Sequence, residues 1–268
     1  MWIYFYPTVF ILGLVWGSFI NMAVYRVKNE LDFFGRSFCD DKKEKLGALD
    51  LIPVLSFFIS KGRCRHCHKP LPWIYPVTEL VTAVSFCLAF WTIMQRGTQF
   101  PWYVINLAIT GIVVVFFIFF AVYDYLYWEV NVLAVKTALI LAVVFAVASI
   151  FFPQIVFPGL SGIFAGLIAG LIIAFVVKFT KGSGMGEGDI FLMAFAGILV
   201  GLSGFIPLFM ISSITGSIIG IIKAIKVGKL HGVQIQFVPF ISFAALLIIF
   251  FKEEILGILR LDVLINNL

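Results

Sequence analysis

Long apolar runs separated by short polar stretches dominate the chain. They fall near residues 3–25, 77–95, 101–123, 130–151, 157–178, 189–201, 204–222 and 236–251. Most reach the roughly 18 residues or more that carry a helix across a bilayer. Helices are expected because lipid offers no partner to backbone N–H and C=O groups. The pattern therefore predicts an all-α polytopic membrane protein with about eight transmembrane helices. Only "GLSG", at 201–204, separates the sixth run from the seventh. The first run, "IYFYPTVFILGLVWGSFINMAVY", lacks the basic start and small-residue cleavage site of a signal peptide and reads as a retained helix.

One long polar segment, 26–76, lies between the first two runs. Ten of the nineteen Lys and Arg residues fall between Arg26 and Lys69. The positive-inside rule makes this segment cytoplasmic, so the N-terminus is expected outside. Lys178, Lys181, Lys223, Lys226 and Lys229 return to the inner side under this topology. Arg96 marks an outer loop, and Lys252 and Arg260 on the outer tail are exceptions. Charged residues make up 12% of the chain, half the roughly 25% of soluble domains. Mean hydropathy is +1.10. The net charge of +5 then reflects topology and contact with anionic lipid. The chain carries no nucleic-acid motif.

Two aspartates stand at the ends of apolar runs. Asp124 closes the third, in "FFIFFAVYDYLYWEVNVLAV", and Asp189 opens the sixth, in "KGSGMGEGDIFLMAFAG". The topology puts both at the cytoplasmic face. As separate interfacial residues they would only mark helix ends, Asp189 favoured by the positive end of its helix dipole. As a pair they would form an acid–base site. Two close carboxyls resist double ionisation, so one can activate water while the other donates a proton. Alternating glycines before Asp189, including Gly186 and Gly188, allow irregular backbone where a peptide approaches. "GEGD" is a G-x-G-D motif, whereas a phosphate loop would need a preceding strand and G-K-[ST].

The polar segment contains Cys64-x-x-Cys67, flanked by His66 and His68, and an upstream Cys39. A disulfide is not expected in the reducing cytosol. Tetrahedral zinc needs four ligands. Cysteine supplies three, and His68, His66 or a nearby aspartate is the candidate fourth. Cys87, inside the second run, reads as packing.

An ordered set of motifs runs through the chain: "GSFINMAVYR" from Gly17, "DLIPVLSFFISKGRCRHC" from Asp50, "YPVTEL" from Tyr75, Asp124 and "GEGD". Together these resemble the bacterial prepilin peptidases of type IV pili and type II secretion, of the G-x-G-D aspartyl protease class. The resemblance implies cleavage of the short basic leader of type IV prepilins or pseudopilins at the cytoplasmic face of the inner membrane. Asp124 and Asp189 would be the catalytic pair, in a six-helix peptidase core at 101–268. The family also implies methylation of the new N-terminus with S-adenosylmethionine. That activity would lie in residues 1–100, where Asn21, Arg26 and Glu79 fall in matching motifs. The bland reading of Asn21 and Glu79 is helix–helix hydrogen bonding, and of Arg26 a headgroup anchor.

Three departures stand out. The earlier C-x-x-C reads Cys39-Asp40-Asp41-Lys42 and lacks its second cysteine. "VNV" at 130–132 replaces a proline-containing element. "RVKN" at 26–29 lacks the proline that often follows. Alternatives are a transporter using the aspartates as an ion relay, with Lys136 as a deeper charge, and an inactive relative acting as an assembly factor. A serine protease on Ser161 or Ser203 would lack an adjacent histidine base, and the chain has no H-E-x-x-H for a zinc protease.

Overall fold

The computed structural model describes residues 2–33, 35–39, 42, 44–180, 186–228 and 234–259. Among them there are eight α-helices. They are α1 (Tyr6–Lys28), the short α2 (Leu55–Ile59), α3 (Ile74–Gln95), α4 (Trp102–Tyr127), α5 (Val132–Phe151), α6 (Gly159–Phe179), α7 (Glu187–Val227) and α8 (Val238–Ile258). Six of these are long and apolar enough to cross a membrane: α1, α3, α4, α5, α6 and α7. Leu171, Phe175, Ile140 and Ile225 are among many large apolar side chains left exposed. Outward apolar surface on long helices belongs in lipid, and the protein is a multi-pass, all-α membrane protein.

The chain divides into two compact units, residues 1–97 with 107–122, and residues 98–106 with 123–268. In the first, α1 lies against α3. Gly13 and Gly17, one turn apart, let the backbones meet. A Cβ at either would stand 2.5 Å from the Cα of Ala83 or Glu79. Small residues at such spacing are how membrane helices gain close van der Waals packing.

In the second unit α6 meets α7 in the same way. A Cβ on Gly162 would approach the Ile198 carbonyl to 2.3 Å. One on Gly166 would meet Ile198 Cγ1 at 2.4 Å, and one on Gly170 would meet Ala194 Cβ at 3.3 Å. The 41-residue α7 is not one rod. Gly201 sits at φ +74°, ψ 177°, a backbone conformation open essentially to glycine alone. Gly188, near the start of α7, lies against Val130, while the Lys223 ammonium near its end is 4.9 Å from the centre of the Trp128 ring. A straight helix of this length would span about 60 Å. Contacts of both ends with 128–130 therefore require α7 to double back at Gly201.

The expected sixth and seventh spans are thus the two arms of one broken helix, divided at the first residue of "GLSG". The break frees backbone carbonyls. The Lys252 ammonium, from α8, donates to one of them, Val200 O, at 3.3 Å. Lys252, expected on the outer side, thus pairs with backbone at the break. The second arm packs on α8, with Gly204 against Ile248 and Gly216 against Phe240.

Gly201→Ala would place a β-carbon 2.8 Å from Pro158 Cβ and force a side chain into the glycine-only region. The conformational cost alone is about 1–3 kcal/mol. The variant is expected to melt earlier than wild type in detergent, read by the temperature at which the monodisperse gel-filtration peak is lost.

Candidate functional site

Asp124 occupies the last turn of α4. The helix stops because Trp128 takes the left-handed conformation (φ +58°) and its N–H returns to Asp124 O at 2.8 Å. The Gln236 side-chain amide also donates to Asp124 O, and reaches Tyr125 O at 3.0 Å. Carbonyls that a helix end would leave bare are thereby paired. The next helix starts at once, because Asn131 Oδ1 accepts the Ala134 N–H at 2.9 Å. The missing proline at 130–132 is therefore replaced by a side-chain cap, and the helix does not run on.

Asp189 occupies the first turn of α7, where its Oδ2 accepts the Gly186 N–H at 3.0 Å. Gly188 serves a packing need. A Cβ there would stand 2.7 Å from Val130 Cβ, so a side chain would push α7 off the α4–α5 link. The preceding glycines, 182 and 184, lie outside the described residues. Asp124 and Asp189 are only 6% and 8% exposed, and the charge of Asp189 reaches Asp124. The Val238 N–H, at the start of α8, faces the Asp124 carboxyl. Its Oδ2 is buried with no partner among the described residues. Two neighbouring carboxyls, one with a bare buried oxygen, can hold a water and pass a proton between them.

Two further polar contacts of this unit lie near these helix ends. Tyr123 donates to Glu129 at 3.1 Å, and the Lys136 ammonium lies 5.4 Å from the Phe191 ring centre. Lys136 thus stands beside the first turn of α7 and is not a deep relay charge. Ser161 spends its hydroxyl on Pro158 O at 2.8 Å. His66 and His68 belong to the other unit, and His231 lies outside the described residues. Gln236 was invisible to sequence reasoning, since nothing in the chain order couples it to a residue 112 positions away.

In the first unit the motif residues surround a cavity of about 460 Å³. Arg26 is 5% exposed and donates to the carbonyls of Asp32, Phe33 and Gly35 at 2.5–2.7 Å. It holds the loop after α1 and is no headgroup anchor. Asn21 Nδ2 donates to Tyr75 O at 3.1 Å, while its Oδ1 is buried with no partner among the described residues. Glu79 accepts the Val54 N–H at 2.6 Å. Val54 is at φ +62°, ψ −52°, a strained γ-turn for a β-branched residue. Ser18, Asn21, Arg26 and Glu79 line the cavity together with the three cysteines.

Cys39 and Cys64 open two antiparallel turns. The Cys39 N–H donates to Glu44 O, and the Cys64 N–H to Lys69 O, both at 2.8 Å. The turns bring the thiol sulfurs of Cys39, Cys64 and Cys67 within 4.8 Å of one another, with Cys39 and Cys64 3.7 Å apart. Tetrahedral zinc with bonds of about 2.3 Å separates its sulfurs by about 3.8 Å, so the trio fits a thiophilic metal ion. The group contains no histidine among the described residues, so His68 is not brought to it. His66 faces elsewhere, with Nδ1 2.9 Å from Glu44 and Nε2 3.2 Å from Asp50.

The Lys69 N–H favours the Cys67 thiolate, but burial and the neighbouring thiols outweigh it and push the thiol up to about 11. Hydrogen bonds to Asp50 and then Glu44 raise His66. Burial opposes ionisation of Asp50, but the Gly47 N–H, His66 and Arg65 together hold it below its ordinary value. The raised His66 stabilises the folded turns fully below its unfolded pKa of about 6.5, and that contribution is lost as pH rises through the folded value. The depressed Asp50 contributes above its unfolded pKa and is lost as pH falls through the folded one. In EDTA-treated protein, amide-exchange protection of residues 44–50 and 64–69 should fall as pH rises through the His66 titration. His66→Gln should remove that step.

Comparison with known proteins agrees along the whole chain. The Bacterial Peptidase A24 N-terminal domain matches residues 11–93, and the Type IV leader peptidase family matches residues 112–221. A prepilin leader peptidase/N-methyltransferase of Bacillus subtilis is 30% identical over 253 residues, 93% of this chain and 95% of the relative. The protein of that name from Xanthomonas campestris is 24% identical over 95% of this chain and 94% of its own length. That from Klebsiella pneumoniae is 36% identical over 88 residues, 30% of this chain and 39% of the relative. No solved structure matches the chain. On the strength of a relative matched nearly end to end, and of both family matches, this chain belongs to the bacterial type IV prepilin leader peptidase family.

Proposed function

We propose that the protein is an aspartyl endopeptidase of the inner membrane that removes the short basic leader of type IV prepilins or pseudopilins. The observation that carries this reading is the buried pair Asp124 and Asp189, with Asp124 Oδ2 bare. One carboxylate takes a proton from water as it attacks the scissile carbonyl. The other, protonated, gives its proton to the departing amide nitrogen. In the proposed topology the chain crosses eight times, counting both arms of α7 and α8, with the N-terminus outside. Segment 26–76 and the carboxyl pair then face the cytoplasm, where the basic leader lies. A transporter is less favoured, because both aspartates stand at helix ends rather than midway along a span. An assembly factor would not need the bare oxygen.

The first hundred residues carry a second proposed activity, methylation of the new N-terminus. S-adenosylmethionine would supply an electrophilic methyl group. The unpaired Asn21 Oδ1 and the Glu79 carboxylate are the cavity's acceptors for its amino and hydroxyl groups. Arg26 holds the loop that walls the cavity and does not touch the ligand. A metal ion on the three cysteines would tie the two turns together.

Asp124→Asn and Asp189→Asn should each lower leader cleavage of a co-expressed prepilin by at least about 100-fold, with membrane accumulation unchanged. Continued cleavage by both variants defeats the aspartyl reading. Gly188→Ala should also impair cleavage, by displacing the first turn of α7 from Val130. Glu79→Gln is expected to leave cleavage intact and to remove one methyl group from the pilin N-terminus in intact-mass spectra. A methylated product would show that Glu79 is structural only.

A further inference from the structure

We infer that the metal centre of Cys39, Cys64 and Cys67 keeps one coordination position open toward the cavity lined by Asn21 and Glu79, and that this position binds a neutral nitrogen donor, an amine or imidazole, in exchange for water. Three observations support it. The first is the donor count. Two turns approach each other, but the Cys64 turn supplies two sulfurs and the Cys39 turn one, with solvent-exposed Lys42 at the third place after Cys39. Zinc held by three thiolates keeps a fourth position for an exogenous ligand unless the protein fills it.

The second observation concerns what would fill it. His66 is turned to Glu44 and Asp50 through both ring nitrogens, and His68 lies outside the cluster. Among the described residues no other His, Asp or Glu joins the three sulfurs, and Asp40 and Asp41, next to Cys39, lie outside the described residues. The third is access. The same three cysteines line the 460 Å³ cavity, so a small ligand can reach the metal from that side. Protein-filled structural sites are closed, whereas sites with three protein ligands bind water or substrate.

Charge selects the ligand class. Three thiolates on a divalent ion leave a net negative centre, and the carboxylates of Asp50 and Glu79 line the same cavity. Of the two cations on that wall, Arg26 is spent on three backbone carbonyls, and Lys69 offsets only one of the negative groups formed by the thiolate centre, Asp50 and Glu79. An anionic ligand would add charge to an already negative site, so a neutral nitrogen donor is favoured.

The inference rests on the metal reading of the cluster, so loading is measured first. The full-length protein, purified in detergent and reduced, is loaded with Co(II). Metal analysis should give one ion per chain, and Cys64→Ser should lose it. Absence of binding overturns the metal reading itself. With the ion bound, imidazole is titrated while the visible d–d bands are recorded. The open position predicts a saturable band shift with tetrahedral intensity retained, and a weaker response to sodium azide. Bands insensitive to imidazole mean that a fourth protein donor closes the centre, which overturns the inference. So does a change in the starting bands of His66→Gln or His68→Gln. Azide binding more tightly than imidazole overturns the ligand class.

Discussion

The contact of α6 with the first arm of α7 is the constraint on which the second unit depends. Gly162, Gly166 and Gly170 present bare backbone to Ile198, Ala194 and the turns between them. In lipid there is no hydrophobic drive to press two helices together, so such close packing supplies the attraction. It fixes the arm that begins with Asp189. It also brings Pro158, just before α6, against Gly201, where α7 turns back. The reversal sends the second arm to α8, whose first residue, Val238, stands beside Asp124. The first turn that carries Asp189 is therefore held against the link that follows Asp124, through Gly188 and Val130, by small residues farther along the helices.

Satisfaction of buried polar groups governs the rest. Each helix end near Asp124 is closed by a named partner: Trp128 N–H, the Gln236 amide and the Asn131 cap. The break at Gly201 is closed by Lys252. Unpaired backbone in an apolar setting costs several kcal/mol, so these partners are what permit irregular chain there. Asp124 Oδ2 and Asn21 Oδ1, like the hydroxyls of Thr98 and Ser242, have no partner among the described residues. Residual acceptors in otherwise satisfied surroundings are where a water or ligand is held.

The polar segment of the first unit uses a different economy. Arg26 gathers three carbonyls, Glu79 holds a strained valine, and the two cysteine turns are linked through His66. A metal ion on the three sulfurs would join the turns covalently in effect, and would also border the cavity.

The sequence by itself determined the all-helical membrane character, since apolar runs in lipid leave the backbone no alternative. It also marked Asp124, Asp189, the three cysteines and the polar motif residues, because charged or polar groups are conspicuous against such a background. It located the break in α7 to within "GLSG". The charge pattern already returned the chain to the inner side after that break, and tertiary structure supplied the contacts of Gly188 and Lys223 with one link that hold the two arms side by side. Tertiary structure alone decided that Gly188 exists for Val130, that Arg26 grips a loop and that Lys252 serves Val200. It alone recruited Gln236 and excluded His68 from the sulfurs. These are pairings between residues distant in the chain, and local pattern carries no record of which distant backbone group will need a partner.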